Sequence, residues 1–286
     1  MSLSIFTSGS SMSSINALNK SNSMLSTAME RLGTGKRINS AADDAAGMQI
    51  ASRLQGQSNG MAVAQRNISD ATAMLQTAEG AFDEVSNIMY RMKDLATQAA
   101  NDTNSSKDRE ALDSEFQELN KELTNIMSNT TYGGEKLLDG GKLDNAMNFQ
   151  IGSSASEKMT VDLSAELGDV KTSTGTTASG VGGISLSLSG TTVPDYGTAI
   201  KTIESALENV GTVRSSLGAN INRLGHTAAN LANMKDNTEL ALGNIQDADF
   251  ASEASSMTRN QMLAQTSMSM LKQSNSMSGM VMSLLG

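Results

Sequence analysis

The chain has no cysteine and no tryptophan, one proline, one histidine and only 3% aromatic residues. Without cysteine there is no disulfide, no thiolate metal site and no thiol nucleophile. A single histidine cannot build a multi-histidine zinc site. Positive charge is also short: the formal net charge is −9 over 286 residues. That argues against nucleic-acid binding, which draws on a basic patch to displace counterions. No run of about eighteen apolar residues occurs, so no helical membrane insertion is expected. The opening MSLSIFTSGSSMSSINALNK lacks the charged start and continuous apolar core of a secretory signal.

What is present is periodicity. From Met61, steps of three and four residues reach Ala64, Ile68, Ala71, Leu75, Ala78, Phe82, Val85, Met89, Met92, Ala96 and Ala99 without meeting a polar residue. This alternation is the signature of long helices packed side by side. At 1.5 Å per residue such a helix runs roughly 60 Å. Leu112, Phe116, Leu119, Leu123 and Ile126 form a shorter stripe, and another follows Pro194, from Ile200 to Leu231. Pro194 suits a loop or helix start. The N-terminal stripe reads Ile15, Leu18, Asn22, Leu25, Met29, Leu32. The C-terminal one reads Phe250, Ala254, Met257, Gln261, Ala264, Met268, Leu271, Asn275, Ser278, Met282, Leu285. The two ends are expected to pack on each other. Their polar positions weaken the seam, and their Met- and Ser-rich surfaces suit burial against further partners.

The middle of the chain differs. Tyr132-Gly133-Gly134 and Asp139-Gly140-Gly141 are turn signals. Lys136–Leu138, Asn148–Gly152 and residues 159–163 are read as short strands. Residues 172–192, nearly all Ser, Thr, Gly and small apolar types, are read as a surface loop, weak strand or mobile insert that buries little core. The fold class is therefore mainly α: long antiparallel helical rods with coiled-coil termini and a small β-hairpin and loop region in mid-chain.

One stretch invites a chemical reading. GTGK at 33–36 falls short of the phosphate-binding pattern G-x-x-x-x-G-K-[ST], because Glu30 stands where the first glycine is needed and a helix, not a strand, precedes it. A corner between helices fits better, with Gly33 as a left-handed cap and Gly35 beside it. Asn39 or Ser40 would then cap the next helix, with Asp43 and Asp44 in its first turn. Lys36 and Arg37 would meet acidic groups on a neighbouring element. His226 lies in a helical pattern, and Asp247 and Asp249 suit a helix break and cap better than a calcium loop. No catalytic, metal or cofactor site is expected.

RLGTGKRINSAADDAAGMQIASRL (31–54) resembles the signature turn and helix of bacterial flagellin. NIQDADFASEASSMTRNQMLAQTSMSMLKQSNSMSGMVMSLL (244–285) resembles its C-terminal helix, and SSLGANINRL (215–224) the start of its penultimate helix. These blocks agree in order and spacing across roughly 1–165 and 195–286. The resemblance implies a non-enzymatic subunit that polymerises with itself into the helical flagellar filament for motility, its termini folding and becoming buried on assembly. A hook–filament junction protein or other accessory relative is the alternative.

It also implies a layered organisation. Residues 1–40 and 250–286 would form the inner tube, with Ile15, Leu18, Leu25, Leu32, Met257, Ala264, Met268, Leu271 and Leu285 in the polymerisation seam. Residues 41–165 and 195–249 would form the surrounding rods and hairpin, and 166–194 a reduced outer insert or surface loop. An extracellular location follows, with export through the flagellar type III channel and no cleaved signal peptide. The implied partners are an export chaperone, the filament cap and hook-junction proteins, and the animal Toll-like flagellin receptor. The receptor segment is MYRMKDLATQAAN (89–101), with Arg91, Leu95 and Gln98 matching and Glu115 on the next helix. The family pattern has a second arginine where this chain has Lys93.

Overall fold

A computed structural model describes residues 9–175, 181–186 and 196–285. They form α1 (Gly9–Thr34), α2 (Ala45–Ala99), α3 (Ser106–Asn129), the strands β1 (Thr131–Tyr132) and β2 (Glu135–Lys136), β3 (Met147–Gln150) and β4 (Lys158–Val161), then α4 (Ser164–Thr174), α5 (Tyr196–Gln246) and α6 (Phe250–Leu285). Short 3-10 turns occupy Lys142–Asp144 and Val181–Gly183. The chain divides into two compact units, residues 1–58 with 236–286, and residues 59–235. These boundaries lie further from the chain ends than 40 and 250.

The second unit holds the hydrophobic core. Every residue of the Met61–Ala99 stripe is buried in it. Opposite stand Phe116 and Leu123 of α3, and Ile203, Val210, Leu217 and Leu224 of α5. Ion pairs Lys93–Glu204 and Asp83–Arg214 join α2 to α5, low numbers meeting high ones, so the two helices run antiparallel. The α3 start is a capping box: the Asp108 backbone N–H donates to Ser105 Oγ, and Asp108 Oδ2 accepts from the Ser105 backbone N–H. Arg109 is buried beneath it, its guanidinium 5.4 Å above the Tyr196 ring and donating to the Asn101 carbonyl.

The middle meets expectation at its first turn and departs from it in two places. The first hairpin closes through Gly133 and Gly134, both at positive φ, the conformation that a two-residue type I′ loop demands. Leu137 and Leu138 follow β2 rather than extending it, and both are wholly buried. Where an outer insert or surface loop was expected over 166–194, residues 166–174 belong to the helix α4. Leu167 and Val170 of α4, with Val181 and Leu186 beyond it, sit in the core. Among its described residues, the low-complexity stretch thus holds two buried apolar side chains, Val181 and Leu186. Residues 176–180 and 187–195, Pro194 among them, lie outside the described residues.

Candidate functional site

In the first unit, α1 and α6 pack antiparallel: Ser11 Oγ meets Ser274 Oγ at 2.9 Å, and Arg31 Nη1 meets Glu253 Oε1 at 3.0 Å near the other end. The covered face of α1 is Ser11, Ser14, Leu18, Ser21, Leu25, Ala28 and Leu32, at steps of three and four. That of α6 includes Ser256, Met257, Asn260, Ala264, Ser267, Leu271 and Ser274. Leu18, Leu25, Leu32, Met257, Ala264 and Leu271 therefore sit where the helices meet. Ile15 and Met268 do not: they are 42% and 47% exposed. Ser14 and Ser267, one residue away, take their places. The Leu285 side chain lies outside the described residues.

The physical reason is close approach. Serine and alanine let two helix backbones near each other, but they remove little apolar surface from water. The larger side chains, Met12, Ile15, Met24, Met29, Met262, Leu263, Met268, Met270 and Met277, point away from the pairing and stay exposed. A rule that places the bulkiest residues in the seam misplaces Ile15 and Met268 by one residue each. The usable signal was a second heptad-like spacing in α6, Met262, Met270 and Met277.

The 33–44 stretch is a corner with no phosphate cradle. Gly33 lies inside α1, and Gly35, at φ 71°, is the left-handed residue that ends it, its N–H donating to the Arg31 carbonyl. Glycine suits this position because a Cβ disfavours the left-handed region. Asp44, not Asn39 or Ser40, caps α2, its Oδ1 accepting from Gly47 N–H at 2.9 Å. Asn39 and Ser40 instead belong to a preceding turn in which Asp43 Oδ2 accepts both of their backbone N–H groups, at 3.1 and 2.9 Å. Lys36 pairs through its backbone with Asp247. Arg37 donates its backbone N–H to the Gln246 carbonyl and its guanidinium to the Ile245 carbonyl. That cation sits at the negative end of α5, where the dipole favours it. Asp249 caps α6 by accepting the Ala251 N–H.

The backbone donors of Ser40, then of Asn39, hold the Asp43 carboxyl below its ordinary value of 3.8. A depressed acid contributes stability that is present above the unfolded value and lost as pH falls through the folded one. The 39–43 turn is thus expected to stay closed at neutral pH and to open only below the ordinary aspartate range. Amide NMR titration of Asn39 and Ser40 measures this. Unchanged midpoints in Asp43→Asn would show that another group is titrating.

On the second unit, Arg91 grips Glu115 through Nε and Nη2 at 2.9 and 2.6 Å, with both side chains about half exposed. Gln98 is exposed. Leu95 is 1% exposed and packs in the core, so only Arg91, Gln98 and Glu115 of these four residues are exposed. His226 is exposed on α5. Among the described residues no group of three or more His, Cys, Asp or Glu side chains is placed to hold a metal.

Comparison with known proteins agrees with this architecture. Residues 5–142 match the family model of the bacterial flagellin N-terminal helical region, and residues 200–285 that of the C-terminal helical region. A flagellin of Halalkalibacterium halodurans is 38% identical over 258 residues, 90% of each chain. The chain belongs to the flagellin family. Flagellins are structural filament proteins, not enzymes. Flagellin A of Vibrio anguillarum is 47% identical over 165 residues, 58% of this chain but 43% of that flagellin. The polar flagellin F of Vibrio parahaemolyticus is 51% identical over 148 residues, covering 51% and 38%. The match thus spans less than half the length of these Vibrio flagellins. A crystal structure of Bacillus cereus flagellin aligns over 58% of this chain and 88% of its own, at 30% identity and a TM-score of 0.46.

Proposed function

We propose that the chain is a structural subunit that polymerises with itself into the bacterial flagellar filament. The observation that carries this reading is the reversed amphipathicity of α1 and α6. Their shared face is built of serine, alanine, Asn260, Met257 and a few leucines, while most of the methionines, Ile15 and Leu263 face outward. Fully burying one such side chain contributes about 1.5–3 kcal/mol. The lone subunit forgoes much of that, and neighbouring copies would recover it. Methionine suits the purpose because its unbranched thioether fills irregular gaps. Ordering of the terminal helices and burial against neighbours would then stabilise each other.

In this reading, residues 1–40 and 250–286 line the inner tube, and residues 41–165 and 195–249 belong to the surrounding layer of the filament. Ile15 and Met268 serve contacts between subunits, whereas Leu18, Leu25, Leu32, Met257, Ala264 and Leu271 pair α1 with α6, and Leu285 extends the seam. The reading places the protein outside the cell, exported through the flagellar channel. An export chaperone binding α6, the cap and junction proteins at the filament ends, and a Toll-like receptor meeting Arg91, Gln98 and Glu115 complete its partners.

The test is seeded growth. Purified chain added to short flagellin filaments is expected to lengthen them, and cryo-electron microscopy of the new segment to show α1 and α6 around a channel. Persistent monomer beside seeds that another flagellin extends would overturn the reading.

A further inference from the structure

We propose that the unassembled subunit is a target for peroxide, and that sulfoxide formation at Met262, Met270 and Met277 blocks its addition to the polymer. The proposal rests on the subunit reading above. With 20 methionines and no cysteine, thioethers are the chain's only sulfur nucleophiles. The fold sorts them. Met61, Met89 and Met92 are sealed in the core of the second unit, whereas Met262, Met270 and Met277 are 57%, 61% and 56% exposed on α6. Spacings of eight and seven residues put these three on one side of the helix. Ala264 and Leu271, covered residues of the same stretch, lie on the other.

The chemistry balances without a cofactor. A methionine sulfur attacks one oxygen of hydrogen peroxide and the O–O bond breaks. Sulfur, oxidised by two electrons, keeps that oxygen, and the second oxygen leaves as water. A flexible apolar side chain becomes a polar, chiral one. A sulfoxide oxygen entering an apolar contact loses its water without a set partner, which disfavours burial. Three such changes on one helix side act on the same contact. Once the subunit is assembled, neighbouring copies cover these sulfurs, so susceptibility is confined to the free subunit. Methionine sulfoxide reductases reverse the modification, making it a switch on growth.

The experiment treats the purified full chain with hydrogen peroxide, maps sulfoxides by peptide mass spectrometry, and measures seeded elongation. Sulfoxide is expected at Met262, Met270 and Met277 while Met61, Met89 and Met92 remain intact. Elongation should fall at least about tenfold, equivalent to ~1.4 kcal/mol, and reductase treatment should restore it. The triple variant M262L/M270L/M277L, which keeps side-chain volume and removes sulfur, should hold its rate after peroxide. Undiminished growth of chain oxidised at all three positions overturns the proposal, as does loss that the reductase fails to reverse. Untreated chain that cannot extend growing seeds removes the subunit reading itself, and the proposal with it.

Discussion

Replacing Leu271 by Asp is expected to abolish filament growth while leaving the second unit as stable as before. Leu271 lies on the covered face of α6, between Ser267 and Ser274. It is one of the few large apolar groups in a seam otherwise made of small ones. Removing it forfeits about 1.5–3 kcal/mol of burial at full coverage. The incoming carboxylate adds a desolvation cost. In the lone subunit Leu271 is only half-buried, so part of the penalty falls on assembly.

Two readouts separate these effects. Seeded elongation should drop below detection, whereas the melting transition of residues 59–235 should not move. Leu271→Met, close in volume, should restore growth. Deleting residues 273–286 should likewise give a soluble chain that does not polymerise. Wild-type growth of Leu271→Asp would show that the α1–α6 pairing is dispensable in the polymer.

Phe82→Ala should have the opposite profile. Phe82 is fully buried at the centre of the α2 stripe, within the core that α3 and α5 also line. Truncating a buried phenylalanine costs about 3–5 kcal/mol, through lost transfer energy and the cavity left behind. For a unit of this size that lowers the melting temperature by roughly 10 °C. Calorimetry measures it directly. A loss below about 1 kcal/mol would mean that the surrounding helices collapse onto the smaller side chain. The ion pairs on the same helices cannot compensate, since exposed pairs such as Arg91–Glu115 contribute about 0–1 kcal/mol.

The long rods and their core were legible in the sequence for one reason. From Met61 to Ala99 the residue type and the helical period agree at each step, and burial follows that pattern throughout. The strands β3 and β4 were legible within a residue or two, because alternation and glycine turns mark them. The turn at 33–44 was legible as a corner, but not in its caps. Whether Gly33 or Gly35 ends α1 depends on where the last helical hydrogen bond closes. Whether Asp44 or Ser40 caps α2 depends on which side chain reaches a free N–H, and residue type allows both.

The sequence by itself determined that this protein is made of long paired helices, and its signature blocks pointed to flagellin. The hydrophobic period carries that much, since it is a property of the chain alone. Only the tertiary structure decided which side of α1 and α6 is covered. Two helices choose their contact face by how closely their backbones can approach, not by hydrophobicity alone. Ser14, Ser21 and Ser267 therefore lie inside, and Ile15, Met262 and Met270 face outward. The tertiary structure also decided that Val181 and Leu186, within a Ser- and Gly-rich stretch, reach the core. Their fit depends on the space left by α3 and α4, which no local pattern records.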